Sequence, residues 1–298
     1  MRAFLLGATG TIGQAVHRAL QARGYEIVAL ARSQASAERL ARAGATVLRG
    51  DMGLPAEWLA DLPQVDAVIQ MACDFNEAMA PVERRLLDGL LPQLVALPRP
   101  IRFIYTGGCW LFGPTGDTAA DESSPFAPLP AFAWMVPHLQ DVLGNNDIDG
   151  IVIHPGMVYG GNLKDGGGGV LRRFAQEARD RRTMRVVGSE AVRWPLVHCD
   201  DLAELYGLAL ERALPGTSYL GVAIEGMPVG EIARTVARHQ GVATPTIETI
   251  SEDAAAREFG DWARGYACNQ RLSGARACRE LGWMPKHRDL THDMEPAT

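Results

Sequence analysis

Residues 7–13 read Gly-Ala-Thr-Gly-Thr-Ile-Gly, and this glycine spacing decides the fold. The apolar run at 3–6 predicts a buried strand before it, and apolar residues three and four apart predict a helix after it. A glycine-rich turn lets the backbone approach a pyrophosphate, and the helix N-terminus offers free N–H groups and a positive dipole end. The segment therefore predicts a dinucleotide cradle, with a purely structural turn as the alternative. The cradle residues are Gly7, Thr9, Gly10, Thr11, Ile12 and Gly13.

The same alternation of strand and helix continues outward from this turn. Further strands are predicted at 26–31, 46–48, 67–71, 101–105 and 151–153, and a last one at 218–223 returns to the main sheet. Strands alternating with helices predict an α/β fold with a doubly wound, Rossmann-type parallel sheet. We expect residues 1–155, together with 194–223, to bind the dinucleotide. Residues 156–298 are expected to form mainly a smaller C-terminal lobe that binds the substrate.

The end of the second strand predicts which dinucleotide binds. An NAD site typically has an acid there for the ribose hydroxyls, whereas this chain has Arg32 and Ser33. An arginine and a hydroxyl suit the 2′-phosphate of NADP(H), and a solvated arginine at a strand end is the alternative. Asp51 and Met52, after the third strand, are expected beside the adenine, although a plain loop aspartate is an alternative.

Several further motifs occur in a fixed order along the chain. They are residues 68–73 (VIQMAC), 103–108 (FIYTGG), 154–160 (HPGMVYG), 194–203 (WPLVHCDDLA) and 278–285 (CRELGWMP). With the glycine motif they resemble the extended short-chain dehydrogenase/reductase family of epimerases, dehydratases and reductases, over nearly the whole chain. The resemblance implies further cofactor contacts at Met71, Ala72, Cys73, Thr106, His138, Pro155, Gly156, Met157 and Val158.

The family's catalytic residues are missing. The family uses a serine or threonine after the fifth strand and a Tyr-x-x-x-Lys pair on the next long helix. Here Gly108 falls at the serine position, and residues 107–150 contain no tyrosine, lysine or arginine. The resemblance aligns Trp134 with the tyrosine and His138 with the lysine.

Three residues are candidates to replace that chemistry. A positioned acid or base contributes roughly 10²–10⁴-fold in rate, and imidazole titrates near neutral pH. His138 is the first candidate, with a role limited to the ribose or to a backbone cap as its alternative. Thr106 is the nearest hydroxyl, and Tyr159 could reach the site or act only in packing. His154 is interpreted as structural, and His198 with Asp200 and Asp201 as a cap of the next helix.

The substrate pocket is predicted from aromatic residues and one cation: Trp110, Trp134, Arg193 and Trp194. The leading interpretation is an NADP(H)-dependent oxidoreductase that reduces a carbonyl or enone of a small organic substrate. One alternative is a non-redox isomerase, epimerase or lyase. The other is a catalytically inactive NADP-sensing protein, since loss of serine, tyrosine and lysine together is what decay of catalysis would leave.

Composition excludes several other classes. A net charge of −6 provides no basic field for nucleic acid or an anionic membrane. No apolar run approaches the roughly 18 residues of a spanning helix. Five cysteines without a Cys-x-x-Cys spacing predict neither disulfides nor a metal site and fit the cytoplasm. The expected partner is a small-molecule substrate, and a homodimer is one option for assembly.

Overall fold

The computed structural model describes residues 1–161 and 168–294. Its central sheet has seven strands, all paired in parallel, in the order β11-β6-β5-β4-β1-β2-β3. These strands are β1 (Arg2–Leu6), β2 (Glu26–Ala31), β3 (Thr46–Arg49), β4 (Ala67–Gln70), β5 (Arg102–Thr106), β6 (Asp149–Pro155) and β11 (Thr217–Gly221). The strand order reverses between β1 and β4, where open α/β sheets bind ligands at their carboxyl ends. The predicted Rossmann-type fold class is confirmed.

Helices cover both faces of this sheet, because its strands are apolar on both sides. One face packs against α1, α2, α6 and α9, and the other against α3, α4 and much of the C-terminal lobe. The helices are α1 (Thr11–Ala22), α2 (Gln34–Arg42), α3 (Met79–Val95), α4 (Met135–Leu143), α5 (Arg172–Arg181), α6 (Cys199–Arg212), α7 (Val229–His239), α8 (Glu252–Phe259), α9 (Ala275–Leu281) and α10 (Leu290–Asp293).

The C-terminal lobe contributes two smaller sheets. Four strands pair in the order β12-β10-β7-β8, and β13 pairs with β9. These strands are β7 (Met157–Gly160), β8 (Gly168–Gly169), β9 (Thr183–Val187), β10 (Arg193–His198), β12 (Ile224–Pro228) and β13 (Thr246–Ile250). The segment 194–223 is therefore divided: β10 lies in a lobe sheet, whereas α6 packs on α1 and β11 completes the central sheet.

Strand β5 shows how the pleat separates side chains near the cleft. Phe103 and Tyr105 point to the α3 and α4 face, whereas Ile104 belongs to the opposite core cluster. Thr106 follows Ile104, because alternate residues of a strand share a face. Two neighbouring residues of one strand, Tyr105 and Thr106, therefore contribute to different environments.

No helix within the described residues combines the length and apolar character that a membrane span requires.

Candidate active site

The three glycines of the first turn have different surroundings. Gly7 has φ +84°, and a Cβ there would lie 2.7 Å from the Ala72 nitrogen. A Cβ at Gly13 would lie 2.1 Å from the Gly7 carbonyl oxygen, so both positions require glycine for packing. A Cβ at Gly10, in contrast, has only the Gly7 oxygen near it, at 3.5 Å.

The space above Gly10 is open, and the end of α1 faces it. Gly10 is the N-cap of α1, no side chain in the described part of the chain caps this helix, and its first turn carries no acidic residue. Free N–H groups and the positive end of the helix dipole suit an anionic group. The residues of the turn therefore fit the pyrophosphate of a dinucleotide.

A pocket of about 320 Å³ lies beside the glycine turn, along the carboxyl ends of β2, β3 and β4. Its lining includes the predicted residues Arg32, Asp51, Met52, Ala72 and Cys73, together with Asp74, Asn76, Glu83 and Arg85. Asp51 is held in place, since its Oδ1 accepts a hydrogen bond from the Gly53 nitrogen at 2.8 Å. The pocket has the position in which a Rossmann fold holds the adenosine half of its cofactor.

Arg32 lies at the rim of this pocket with 68% of its side chain exposed. Its Nη1 is 3.2 Å from an Asp74 oxygen and 4.0 Å from an Asp51 oxygen. Exposed ion pairs of this kind contribute little, so the guanidinium can change partner at small cost. Ser33 caps α2, and its Oγ accepts from the Ser36 nitrogen at 3.1 Å. A phosphate at this point would meet a cation and a helix N-terminus, with two carboxylates nearby.

His138 belongs to a buried polar group that the sequence analysis did not predict. Its Nδ1 lies 3.1 Å from Glu83 Oε1, and both side chains are almost fully buried. The hydroxyl of Tyr105 donates to the same Glu83 oxygen, and Gln70 Nε2 lies 3.4 Å from the other. Burial, and then the Glu83 carboxylate, raise the pKa of Tyr105 well above its usual range.

This polar network connects α4 with the wall of the pocket. Gln70 also binds the backbone of Ala72, with its amide nitrogen 2.9 Å from the Ala72 oxygen and its amide oxygen 3.2 Å from the Ala72 nitrogen. Because a carboxylate only accepts hydrogen bonds, Glu83 favours a proton on Nδ1 of His138. The other ring nitrogen, Nε2, has no hydrogen-bond partner among the described residues.

The other two catalytic candidates lie in separate hydrogen-bonding groups. The Thr106 hydroxyl is 2.6 Å from the hydroxyl of Tyr206 on α6, on the opposite face of the sheet from His138. The Tyr159 hydroxyl donates to Asp293 Oδ2 at 2.6 Å from a buried position. Burial, and then the bond to Asp293, raise the pKa of Tyr159 above its usual range. The structure does not bring His138, Thr106 and Tyr159 together.

The two glycines after β5, at the family's serine position and just before it, have different surroundings. A Cβ at Gly107 would lie 2.5 Å from Nδ1 of His154, so the buried imidazole occupies that space. A Cβ at Gly108, the family's serine position, has no atom within 4 Å. His154 is fully enclosed, and burial lowers its pKa to about 3. The neutral ring therefore acts as a packing group beneath the turn.

The segment expected beside the nicotinamide follows β6. Pro155 ends β6, and a Cβ at Gly156 would lie 2.8 Å from the Pro195 oxygen. Met157 Sδ lies 3.9 Å from Cys109 Sγ, which joins this segment to the turn after β5. Val158 packs on the α1 side of the molecule.

The loop after β4 lies beside the glycine turn at residues 7–13, at the carboxyl end of the central sheet. Met71 continues from β4, and its nitrogen donates to the Leu6 oxygen at 3.0 Å. Cys73 is exposed and also lines the pocket. Partial burial in the pocket, and then the carboxylates of Glu83 and Asp74, raise the pKa of its thiol. A raised thiol pKa is typical of an unreactive cysteine.

The predicted substrate-pocket residues have different environments. Trp194 is buried, stacks on Phe174 with ring centroids 5.9 Å apart, and donates its indole N–H to the Tyr266 oxygen at 2.9 Å. These contacts make Trp194 a core residue. Arg193 pairs with Asp117 at 3.0 Å. Trp134 makes an edge contact with His138 at 5.3 Å.

Trp110, the fourth predicted pocket residue, lies in a larger group of aromatic rings. Trp110 contacts Phe132 and Tyr266 at 5.1 and 5.8 Å between ring centroids.

His198 has the predicted capping role. It is the N-cap of α6, and its side chain accepts a hydrogen bond from the Asp200 nitrogen.

Glu83 is the residue that the sequence analysis missed, although a signal was present. It lies on α3 three, four and seven residues before Leu86, Leu87 and Leu90, which are all buried. An acidic residue on the apolar stripe of a helix indicates a buried carboxylate that needs partners.

Comparisons with known proteins find relatives of the chain in both sequence and fold. The sequence model of a family described as the NAD dependent epimerase/dehydratase family matches residues 3–220. A 3-diazoavenalumate denitrifying reductase of Streptomyces sp is 28% identical over 96% of this chain and 97% of the relative. The structure of human epimerase family protein SDR39U1 with NADPH has a TM-score of 0.80, at 22% identity over 99% of this chain and 98% of the other. That of dTDP-glucose 4,6-dehydratase from Bacillus anthracis, in complex with NAD, has a TM-score of 0.78, at 16% identity over 99% and 95%. At these identities the two structures show the shared fold.

Proposed function

Because the chain belongs to the NAD-dependent epimerase/dehydratase family, we propose that it is an NADP(H)-dependent reductase of a carbonyl or enone in a small organic substrate. The observation that carries the proposal is the buried His138–Glu83 pair, which replaces the family's tyrosine and lysine with another proton-handling group. A reductase and a dehydrogenase among its relatives support redox chemistry rather than isomerisation.

Different residues of the cleft would bind different parts of the cofactor. The backbone of the glycine turn and the N-terminus of α1 would hold the pyrophosphate, and the pocket beside Asp51 and Met52 would hold the adenosine. Arg32, with the N-terminus of α2, would bind the 2′-phosphate that distinguishes NADPH from NADH. A bound NADPH supplies a hydride from its nicotinamide ring.

His138 would supply the proton. With Nδ1 hydrogen-bonded to Glu83, a protonated imidazole carries its second proton on Nε2. That proton passes to the substrate atom that gains negative charge, and the ring returns to its neutral form with the proton on Nδ1. The Glu83 carboxylate stabilises the cationic ring before transfer and fixes its orientation, as the carboxylate of a catalytic triad does.

The test measures binding and turnover separately. Calorimetry with NADPH and NADH gives the cofactor preference, and the absorbance of the reduced nicotinamide follows oxidation of NADPH with a panel of carbonyl and enone compounds. We expect tighter binding of NADPH and substrate-dependent oxidation. Tighter binding of NADH would contradict the assignment of the cofactor. Binding without oxidation across the panel would favour a sensor protein.

A further inference from the structure

Five aromatic side chains form one connected cluster between the Rossmann half and the C-terminal lobe. We use the name aromatic cluster for Phe75, Trp110, Phe132, Trp262 and Tyr266. Phe75 contacts Trp262 at 5.0 Å and Phe132 at 6.2 Å between ring centroids. Trp110 contacts Phe132, Trp262 and Tyr266 within 6.4 Å. The rings come from the loops after β4 and β5, the turn before α4, and a 3-10 helix at Asp261–Ala267.

The aromatic cluster adjoins the cofactor cleft at its β4–β6 end. Asp74 and Asn76, on either side of Phe75, both line the pocket described above. Next to Trp110, the Cys109 sulfur lies 3.9 Å from Met157, in the segment expected beside the nicotinamide. The substrate of the proposed reductase must approach this end, because the hydride leaves from the nicotinamide ring.

Among the described residues, the indole N–H of Trp262 in the aromatic cluster is buried and has no acceptor. Four other tryptophans, Trp58, Trp134, Trp194 and Trp283, donate to backbone oxygens at 2.8–2.9 Å. The Nε1 atom of Trp262 is buried and has no hydrogen-bond partner in the described chain. A buried donor without an acceptor is costly, so it indicates a ligand atom that would accept this bond.

The exposure of Phe75 and the charges beside the aromatic cluster indicate which class of ligand would fit there. Phe75 is an apolar ring with 52% of its surface exposed, so it forms the rim of the aromatic cluster. The arginines beside the cluster are paired: Arg173 with Glu177 at 3.1 Å, and Arg264 with Asp253 and Asp261 within 2.8 Å. Among the described residues, the cluster therefore presents aromatic faces without free cations, which suit a flat, uncharged ring rather than a diphosphate.

We propose that the substrate is a planar aromatic carbonyl compound that stacks against Phe75 and Trp262 and accepts a hydrogen bond from Trp262 Nε1. This inference rests on the proposed reductase function and specifies its substrate class. Phe75 provides ring contact, and Trp262 provides both ring contact and the donor for the carbonyl oxygen.

Calorimetry on the NADP⁺-loaded protein tests the proposal without requiring turnover. The probes are benzylideneacetone, an aryl enone, and an open-chain aliphatic enone with the same number of carbon atoms. We expect the aryl enone to bind about threefold to tenfold more tightly, which is the contribution typical of an aromatic pair. The Phe75→Ala variant should lose most of this preference. The exposed Leu214→Ala variant, at a side chain that is 70% exposed, is the control and should keep it.

The Trp262→Phe variant separates the ring from its N–H. It should bind both enones about threefold to tenfold more weakly, because each carries the oxygen, and should retain the aryl preference. Equal affinity for the two enones, or binding of neither, would overturn the aromatic substrate class. Loss of NADP⁺ binding by the wild-type protein would instead contradict the proposed function, so the two failures are distinguishable.

Discussion

The two halves of the cofactor cleft differ in the groups that line them: one is lined mainly by backbone atoms and the other by side chains. The half above β1, β2 and β3 presents backbone: an uncapped helix N-terminus and an open space above Gly10, with Arg32 and two carboxylates at its rim. The half above β4, β5 and β6 presents side chains: the His138–Glu83–Tyr105 network and the aromatic cluster. Backbone geometry is common to dinucleotide-binding folds, whereas the side-chain half differs from the family's pattern. The difference separates what holds a cofactor from what selects a reaction.

The largest expected effect is at Gly10. We expect Gly10→Val to abolish measurable binding of both NADPH and NADH, because its side chain fills the space required by the pyrophosphate. The fold should survive, since a Cβ at Gly10 meets only one atom, at 3.5 Å. Calorimetry measures binding, and thermal unfolding measures the fold.

Gly13→Ala is the matched control. Its Cβ would lie 2.1 Å from a carbonyl oxygen, so this variant should lose stability rather than only binding. Cofactor binding retained in Gly10→Val would show that the glycines serve only the turn.

The second effect tests the side-chain half. His138→Asn should lower the turnover rate by roughly 10²-fold or more, the usual loss when acid–base help is removed. Asparagine retains an N–H donor for Glu83, which limits the cost of leaving a buried carboxylate unpaired. NADPH oxidation at saturating cofactor and substrate measures this loss.

Two other outcomes at His138 are informative. Weakened cofactor affinity with normal turnover would assign His138 to the ribose. Wild-type values for both would place it outside the site and direct attention to Thr106 and Tyr159.

The third effect concerns Arg32 alone. Arg32→Ala should weaken NADPH binding about tenfold to a hundredfold, because a charge-assisted bond to phosphate contributes roughly 1.5–3 kcal/mol. NADH affinity should hardly change, since NADH lacks the 2′-phosphate, and it therefore serves as the internal control. Equal losses for both cofactors would contradict the role of Arg32.

The smallest expected effect is a difference in the free energy of unfolding between variants of the adjacent glycines Gly107 and Gly108. Gly107→Ala should lower the free energy of unfolding by about 1–3 kcal/mol, because its Cβ would collide with the buried His154 ring. Gly108→Ala should change it by less than about 1 kcal/mol, since the space there is open and φ is −167°. Urea unfolding of both variants measures the difference. Similar values for the two would show that His154 does not constrain the turn.

The candidate site was predictable from sequence only where local rules apply. The turn at 7–13, the strand end at Arg32 and the capping role of His198 follow from short segments with known geometry. Trp194 was expected in the pocket, but its stacking on Phe174 depends on α5, which no local pattern connects with β10. Thr106 and His138 are both predicted to be catalytic candidates, but the pleat of β5 and the position of α4 place them on opposite faces of the sheet.

The sequence by itself determined the alternation of strands and helices that forms the central sheet, the glycine turn, and the absence of the family's tyrosine and lysine. These features depend on residue type and on spacing along the chain. Only the tertiary structure decided that Glu83 meets His138, fifty-five residues later, and that His154 occupies the space beside Gly107. It also decided that the indole N–H of Trp262 is buried with no acceptor among the described residues. Such pairings depend on how helices and loops distant in sequence pack across the sheet, because burial makes each polar atom depend on a partner that only the fold brings near.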